Sequence, residues 1–174
     1  MNMHSIAWWP ILTLLVMATA MDIHSRRIPN WLVLPFLAGG VVVATASHGW
    51  GGMWKSMGGI AIAVVLTGTL CWLRGMGLGD LKLCAAIGGW IGPGQMGVAL
   101  VITGIAGGAL ALIWAAWRGS LSESLDGARE LISGFGTRGI RPHRSLILDN
   151  PLARTMPYAP AIAIGTLFSF LTVS

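Results

Sequence analysis

The chain has 174 residues, 55% of them hydrophobic and only 10% charged, with a mean hydropathy of +0.74. A soluble domain carries roughly 25% charged residues, so a fully water-facing surface is excluded and lipid is the surrounding that fits. The net charge of +5 does not point to nucleic acid, because most basic residues flank apolar segments, and the length suggests a single domain over 1–174.

Taken in chain order, six segments approach the ~20 apolar residues that a ~30 Å hydrocarbon core requires. They are Ile6–Met21, Trp31–Ser47, Gly58–Leu73, Leu81–Ile91, Gln95–Trp117 and Tyr158–Val173. Ala18-Thr19-Ala20 after the first run looks like a signal-peptide cleavage site. The charges are in the wrong order for one: only His4 precedes the run, and Arg26 and Arg27 follow it. The fourth segment is short. Its 11 residues rise only ~17 Å, so either the glycines before Asp80 extend it or an aqueous cavity takes up part of the bilayer there.

Lys and Arg set the orientation. With the N-terminus outside, the inner segments carry Arg26, Arg27, Arg74, Lys82, Arg118, Arg129, Arg138, Arg141, Arg144 and Arg154, and the outer segments carry only Lys55. That is the positive-inside pattern, and the reverse topology would invert it. The tryptophans agree, with Trp8, Trp9, Trp50, Trp54 and Trp90 near outer ends and Trp31, Trp72, Trp114 and Trp117 near inner ends. The expected fold is therefore all-α: a polytopic membrane protein of about six transmembrane helices, N-terminus outside.

The long polar segment at about 118–156 is assigned to the cytoplasm. In it Leu121, Leu125, Ala128, Ile132 and Phe135 recur at helical spacing, and Ser120 with Glu123 forms a capping-box pattern. An amphipathic helix on the inner membrane surface is expected, with a solvated loop as the plainer alternative. The close glycine pairs, such as Gly58-Gly59 and Gly88-Gly89, suit tight helix packing in lipid.

Chemistry concentrates in the acids. Glu123, Asp126, Glu130 and Asp149 belong to the polar loop, which leaves Asp22 and Asp80. Both fall at the cytoplasmic face. An ionised acid near hydrocarbon costs ~2.5–3.5 kcal/mol or more, so such residues usually face a cavity or a partner. Two carboxyls a few ångströms apart do not readily ionise together; they share a proton and can serve as base and acid in water-mediated hydrolysis. Gly77 and Gly79 lack a Cβ, which lets a substrate backbone or a helix come close to Asp80. The plainer readings are a helix-end ion pair of Asp22 with Arg26, and Asp80 as an N-cap with Lys82 as a surface charge.

Other groups carry less. Cys71 and Cys84 form no CxxC pair and read as two buried apolar thiols. His4, His48 and His143 are scattered, which shows no metal cluster. His24 reads as an interfacial histidine and Tyr158 as an interfacial anchor.

Three pieces of the chain together resemble the type IV prepilin peptidase family of membrane aspartyl peptidases. They are Asp22 with Arg27-Ile28-Pro29-Asn30, then Gly77-Leu78-Gly79-Asp80 with Lys82, and then Pro157-Tyr158-Ala159-Pro160-Ala161-Ile162-Ala163 with Gly165. The resemblance implies that Asp22 and Asp80 are the catalytic pair, acting without metal or cofactor. It implies prepilins or pseudopilins as substrates, cut between a basic leader and an apolar helix. Arg26, Arg27 and Lys82 are expected to support the site, as topology anchors and by biasing the two acids. The family's larger members also N-methylate the new N-terminus and carry paired cysteines in an extra region. These cysteines are missing here, so peptidase activity alone is expected, in a compact form similar to the Flp-type (tight-adherence) peptidases. The alternative from another class is a small proton-coupled transporter using the same carboxylates, and a third is a structural assembly subunit.

Overall fold

The computed structural model describes residues 3–25, 28–72, 76–117 and 158–172. Among these residues the secondary structure is helical: α1 (Met3–Ser25), α2 (Asn30–Trp72), α3 (Leu78–Trp117) and α4 (Ala159–Thr172). Asn30–Trp72 and Leu78–Ile113 are long and apolar enough to cross a membrane. The expected loop helix at 118–156 lies outside the described residues, as do Arg26 and Arg27.

Neither α2 nor α3 is one straight rod. The 43 residues of α2 would extend ~65 Å if unbroken, about twice the thickness of a bilayer core. Gly49 interrupts α2 at φ 59°, ψ −145°, and Gly92 interrupts α3 at φ 76°, ψ 177°. Those backbone regions are open essentially to glycine alone. Pro93 follows the second break, where its fixed φ suits the first turn of a new helix.

The packing shows that the chain reverses at each break. Gly40 lies against Gly89 and Gly59 against Gly88, yet on one rod residues 40 and 59 would stand ~28 Å apart. In α3, Asp80 lies within electrostatic reach of Asp22, which bonds Ala159, and Gly107 packs on Tyr158 and Ala161. A straight α3 would separate residues 80 and 107 by ~40 Å. The four helices therefore contain six rods: α1, 30–48, 50–72, 78–91, 93–117 and α4.

Two boundaries differ from the hydropathy reading. Residues 48–57 were expected to connect two helices, but helix resumes directly after Gly49. His48, Trp50, Trp54 and Lys55 lower the local hydropathy without breaking the backbone, because polar and aromatic side chains are tolerated on a helix end. The fourth rod begins at Leu78 rather than Leu81, which lengthens it to ~21 Å. Leu78, Gly79 and Asp80 supply that extension.

The rod 78–91 is the centre of the bundle, and every residue from Leu83 to Trp90 is buried. It passes beside both rods of α2 through the glycine contacts, where Ser56 Oγ also donates to the Gly89 carbonyl at 2.7 Å. On α1, Ile11, Leu14, Leu15, Ala18 and Asp22 form one buried stripe at helical spacing. Trp90 corrects the interfacial expectation: it is 7% exposed, and its indole N–H donates to the Phe36 carbonyl at 2.7 Å. Trp8 is also drawn inward, edge-on to Phe170 with centroids 5.0 Å apart. By contrast Trp9, Trp31, Trp50, Trp54, Trp72 and Trp117 are exposed.

Candidate active site

Asp22 sits in the last turn of α1, which continues to Ser25. It belongs to the buried stripe and is only 7% exposed. Its Oδ2 accepts a hydrogen bond from the Ala159 backbone N–H at 3.1 Å. Tyr158 caps α4, since the Ile162 N–H bonds its carbonyl at 3.1 Å, so Ala159 is the first helical residue. Its N–H is one of the donors that a helix start leaves unpaired, and Pro160 has no N–H to offer. Asp22 therefore closes the N-terminus of a helix 137 residues away, where the helix dipole also favours a carboxylate. This is a different role from the local ion pair with Arg26 considered above.

Asp80 lies in the first turn of α3 and is half-buried. The first α-helical bond runs from Leu81 N–H to the Gly77 carbonyl at 3.3 Å. Gly77 is thus the cap and Asp80 the third helical residue, which corrects the reading of Asp80 as the N-cap. Its carboxylate accepts from the Gly77 backbone N–H and interacts electrostatically with Asp22. A reach back from the third position to the cap N–H is half of a capping box.

Gly77 and Gly79 each have one neighbour at ordinary contact distance. A Cβ on Gly77 would stand 3.4 Å from the Asp80 Oδ2, and one on Gly79 would stand 3.5 Å from the Ile28 Cβ. Ile28 precedes Pro29 and Asn30, and Asn30 opens α2. The Lys82 ammonium donates to Asn30 Oδ1 at 2.9 Å, so the α1–α2 turn is fixed to the start of α3 at two points. Cys71 adds a third tie between α2 and this loop, its thiol donating to the Gly77 carbonyl at 3.4 Å. It is half-buried, unlike Cys84, which is buried as expected for both; the two thiols are free. His24 is exposed.

The structure thus brings together Asp22, Asp80, Gly77, Gly79 and Lys82 at one end of the bundle, while Arg26 and Arg27 lie outside the described residues. Among the described residues no group of three or more His, Cys, Asp or Glu gathers as a metal site. Sequence reasoning missed the Ala159 N–H and Ile28 as neighbours of the two acids. Pro160 was the available signal, because proline in a first turn marks a helix start with unpaired donors.

Two carboxylates, one closing the N-terminus of α4 and the other in the first turn of α3, thus lie within electrostatic reach of each other at one end of an apolar bundle. A profile of the type IV leader peptidase family matches residues 9–112. That is more than half of the chain, and the chain belongs to this family. The prepilin leader peptidase/N-methyltransferase of Burkholderia pseudomallei (strain 1026b) is 31% identical over 121 residues, covering 62% of this chain and 36% of that protein. The protein of the same name from Bacillus subtilis (strain 168) is 26% identical over 163 residues, covering 92% and 53%. The one from Aeromonas hydrophila is 29% identical over 100 residues, covering 53% and 34%. The chain spans about a third to a half of the length of these curated relatives. No solved structure matches.

Proposed function

We propose that this chain is an aspartyl endopeptidase that removes the leader from type IV prepilins or pseudopilins, with Asp22 and Asp80 as the catalytic pair. One carboxylate takes a proton from the attacking water while the other, protonated, polarises the scissile carbonyl and later protonates the leaving amine. The observation that carries this reading is the convergence of three distant pieces: Asp22 on Ala159, Ile28 on Gly79, and Asn30 on Lys82. No packing need alone calls for two acids there, since each could be replaced by an uncharged cap. Both acids lie at helix ends rather than at mid-length, which weighs against a transporter that carries protons through the bilayer.

The six rods serve, in this reading, as six transmembrane spans in one domain, with the N-terminus outside and the acids at the cytoplasmic face of the inner membrane. The exposed tryptophans support two interfacial belts, Trp50 and Trp54 beside the Gly49 turn and Trp31, Trp72 and Trp117 toward the aspartate end. A prepilin is itself a membrane helix with a charged inner end, so its cut site rests at this depth. Flp-type prepilins are the proposed substrates. The relatives' names carry a methyltransferase activity as well; here we propose cleavage alone, because the two cysteines are single thiols on α2 and α3.

Co-expression with a Flp-type prepilin tests the proposal. A leader-sized mobility shift that persists in EDTA is expected, with an unmethylated new N-terminus by mass. A substrate that keeps its leader would refute the peptidase reading, and activity lost to EDTA and restored by zinc would replace it with a metallopeptidase.

A further inference from the structure

Thr19 lies three residues before Asp22 on α1, so the two side chains are neighbours on one helix face. Its hydroxyl oxygen is buried and has no hydrogen-bond partner, which singles it out among the buried side-chain polar atoms of the described residues. Helical threonines ordinarily return the hydroxyl to the carbonyl four residues back. Thr13, Thr45, Thr67, Thr69, Thr166 and Thr172 all do so, at 2.6–3.3 Å. Thr19 does not, although the Leu15 carbonyl stands at the matching position.

A buried hydroxyl left unpaired opposes folding, because it loses its water without gaining a bond. Such groups mark places where something other than packing has set the residue. Thr19 is one helical turn, ~4.5 Å along the axis, from Asp22 toward the middle of the bundle. If Asp22 attends the scissile bond, Thr19 stands at the depth of the residues that follow it. Those residues begin an apolar helix, whose first N–H groups have no partner of their own and no water in the bilayer to supply one. A hydroxyl accepts as well as donates.

We infer that the Thr19 hydroxyl binds a backbone N–H at the start of the substrate's apolar helix, just past the scissile bond, and so sets the register of cleavage. This rests on the peptidase reading of Asp22 and Asp80. The bond is made to ground state and transition state alike, so its loss falls mainly on KM.

The test compares Thr19→Val, which keeps the shape and removes the hydroxyl, with Thr19→Ser, which keeps the hydroxyl. Both are assayed with prepilin in detergent or proteoliposomes, beside Asp22→Asn and Asp80→Asn, and the melting temperature is recorded for each. Thr19→Val should lose about tenfold in kcat/KM, chiefly through KM, with a melting temperature equal to or above the wild type. Thr19→Ser should recover most of the loss. Wild-type kcat/KM in Thr19→Val would overturn the inference, as would a fall in activity that follows a fall in melting temperature and is not recovered by serine. Full cleavage by the Asp22 or Asp80 variant would instead overturn the peptidase reading itself.

Discussion

The middle of the bundle and its aspartate end are built on opposite terms. At the middle, Gly40 and Gly59 bring both rods of α2 against Gly88 and Gly89, and the nearby polar groups are paired: Ser56 with the Gly89 carbonyl and Trp90 with the Phe36 carbonyl. At the end, Asp22 and Asp80 bond backbone N–H groups, Lys82 bonds the Asn30 side chain, and one hydroxyl stays unpaired. The first region is shaped by how closely backbones can approach. The second is shaped by which backbone and side-chain groups its polar side chains find as partners. The rod 78–91 takes part in both regions, through Gly88 and Gly89 in the first and Asp80 in the second.

The largest effect on stability should come from filling the glycine seam. A Cβ on Gly59 would overlap the Gly88 carbonyl oxygen and stand 3.0 Å from the Gly92 carbon. These are backbone atoms that cannot turn aside, and overpacking of this kind costs about 1–3 kcal/mol or more. Gly59→Val should therefore give little folded protein by size-exclusion profile and thermal melt, whereas Gly94→Val, with open space around it, should fold. Equal yields would remove the contrast between the regions.

Next comes the tie between Lys82 and Asn30. Lys82→Met keeps the stem and removes the bond, and should lower kcat severalfold while the melting temperature moves by only a few degrees, since the pair is exposed. A loss of stability without loss of rate would assign the pair to the scaffold. A smaller effect is expected for Trp90→Phe, which leaves the ring but frees the Phe36 carbonyl, at about 1 kcal/mol in a denaturation series. Its cleavage rate should be unchanged per folded molecule.

That the described residues are helical was legible in hydropathy, because apolar runs approaching 20 residues are the length of helices that can span a bilayer. The paired acids were legible for the same reason: little else charged falls within the apolar runs. Three things were not. A reversal was expected over 48–57, but that a single residue at positive φ, Gly49, makes it with helix on both sides leaves no mark in the hydropathy pattern. Trp90 could not be told from the exposed tryptophans, since an apolar run does not record which face of its helix is packed. The bond from Ala159 to Asp22 joins residues 137 positions apart, and no local pattern records which distant acid a helix start will find.

The central claim is that Asp22 and Asp80 act as one unit, and single Asp→Asn variants of each, purified and mixed with prepilin, test it most directly. Asparagine keeps the shape and an acceptor oxygen, so α4 can still be capped and the protein should melt as the wild type does. Each variant should be folded and show no leader cleavage. A folded Asp22→Asn or Asp80→Asn protein that cleaves prepilin at the wild-type rate would contradict it.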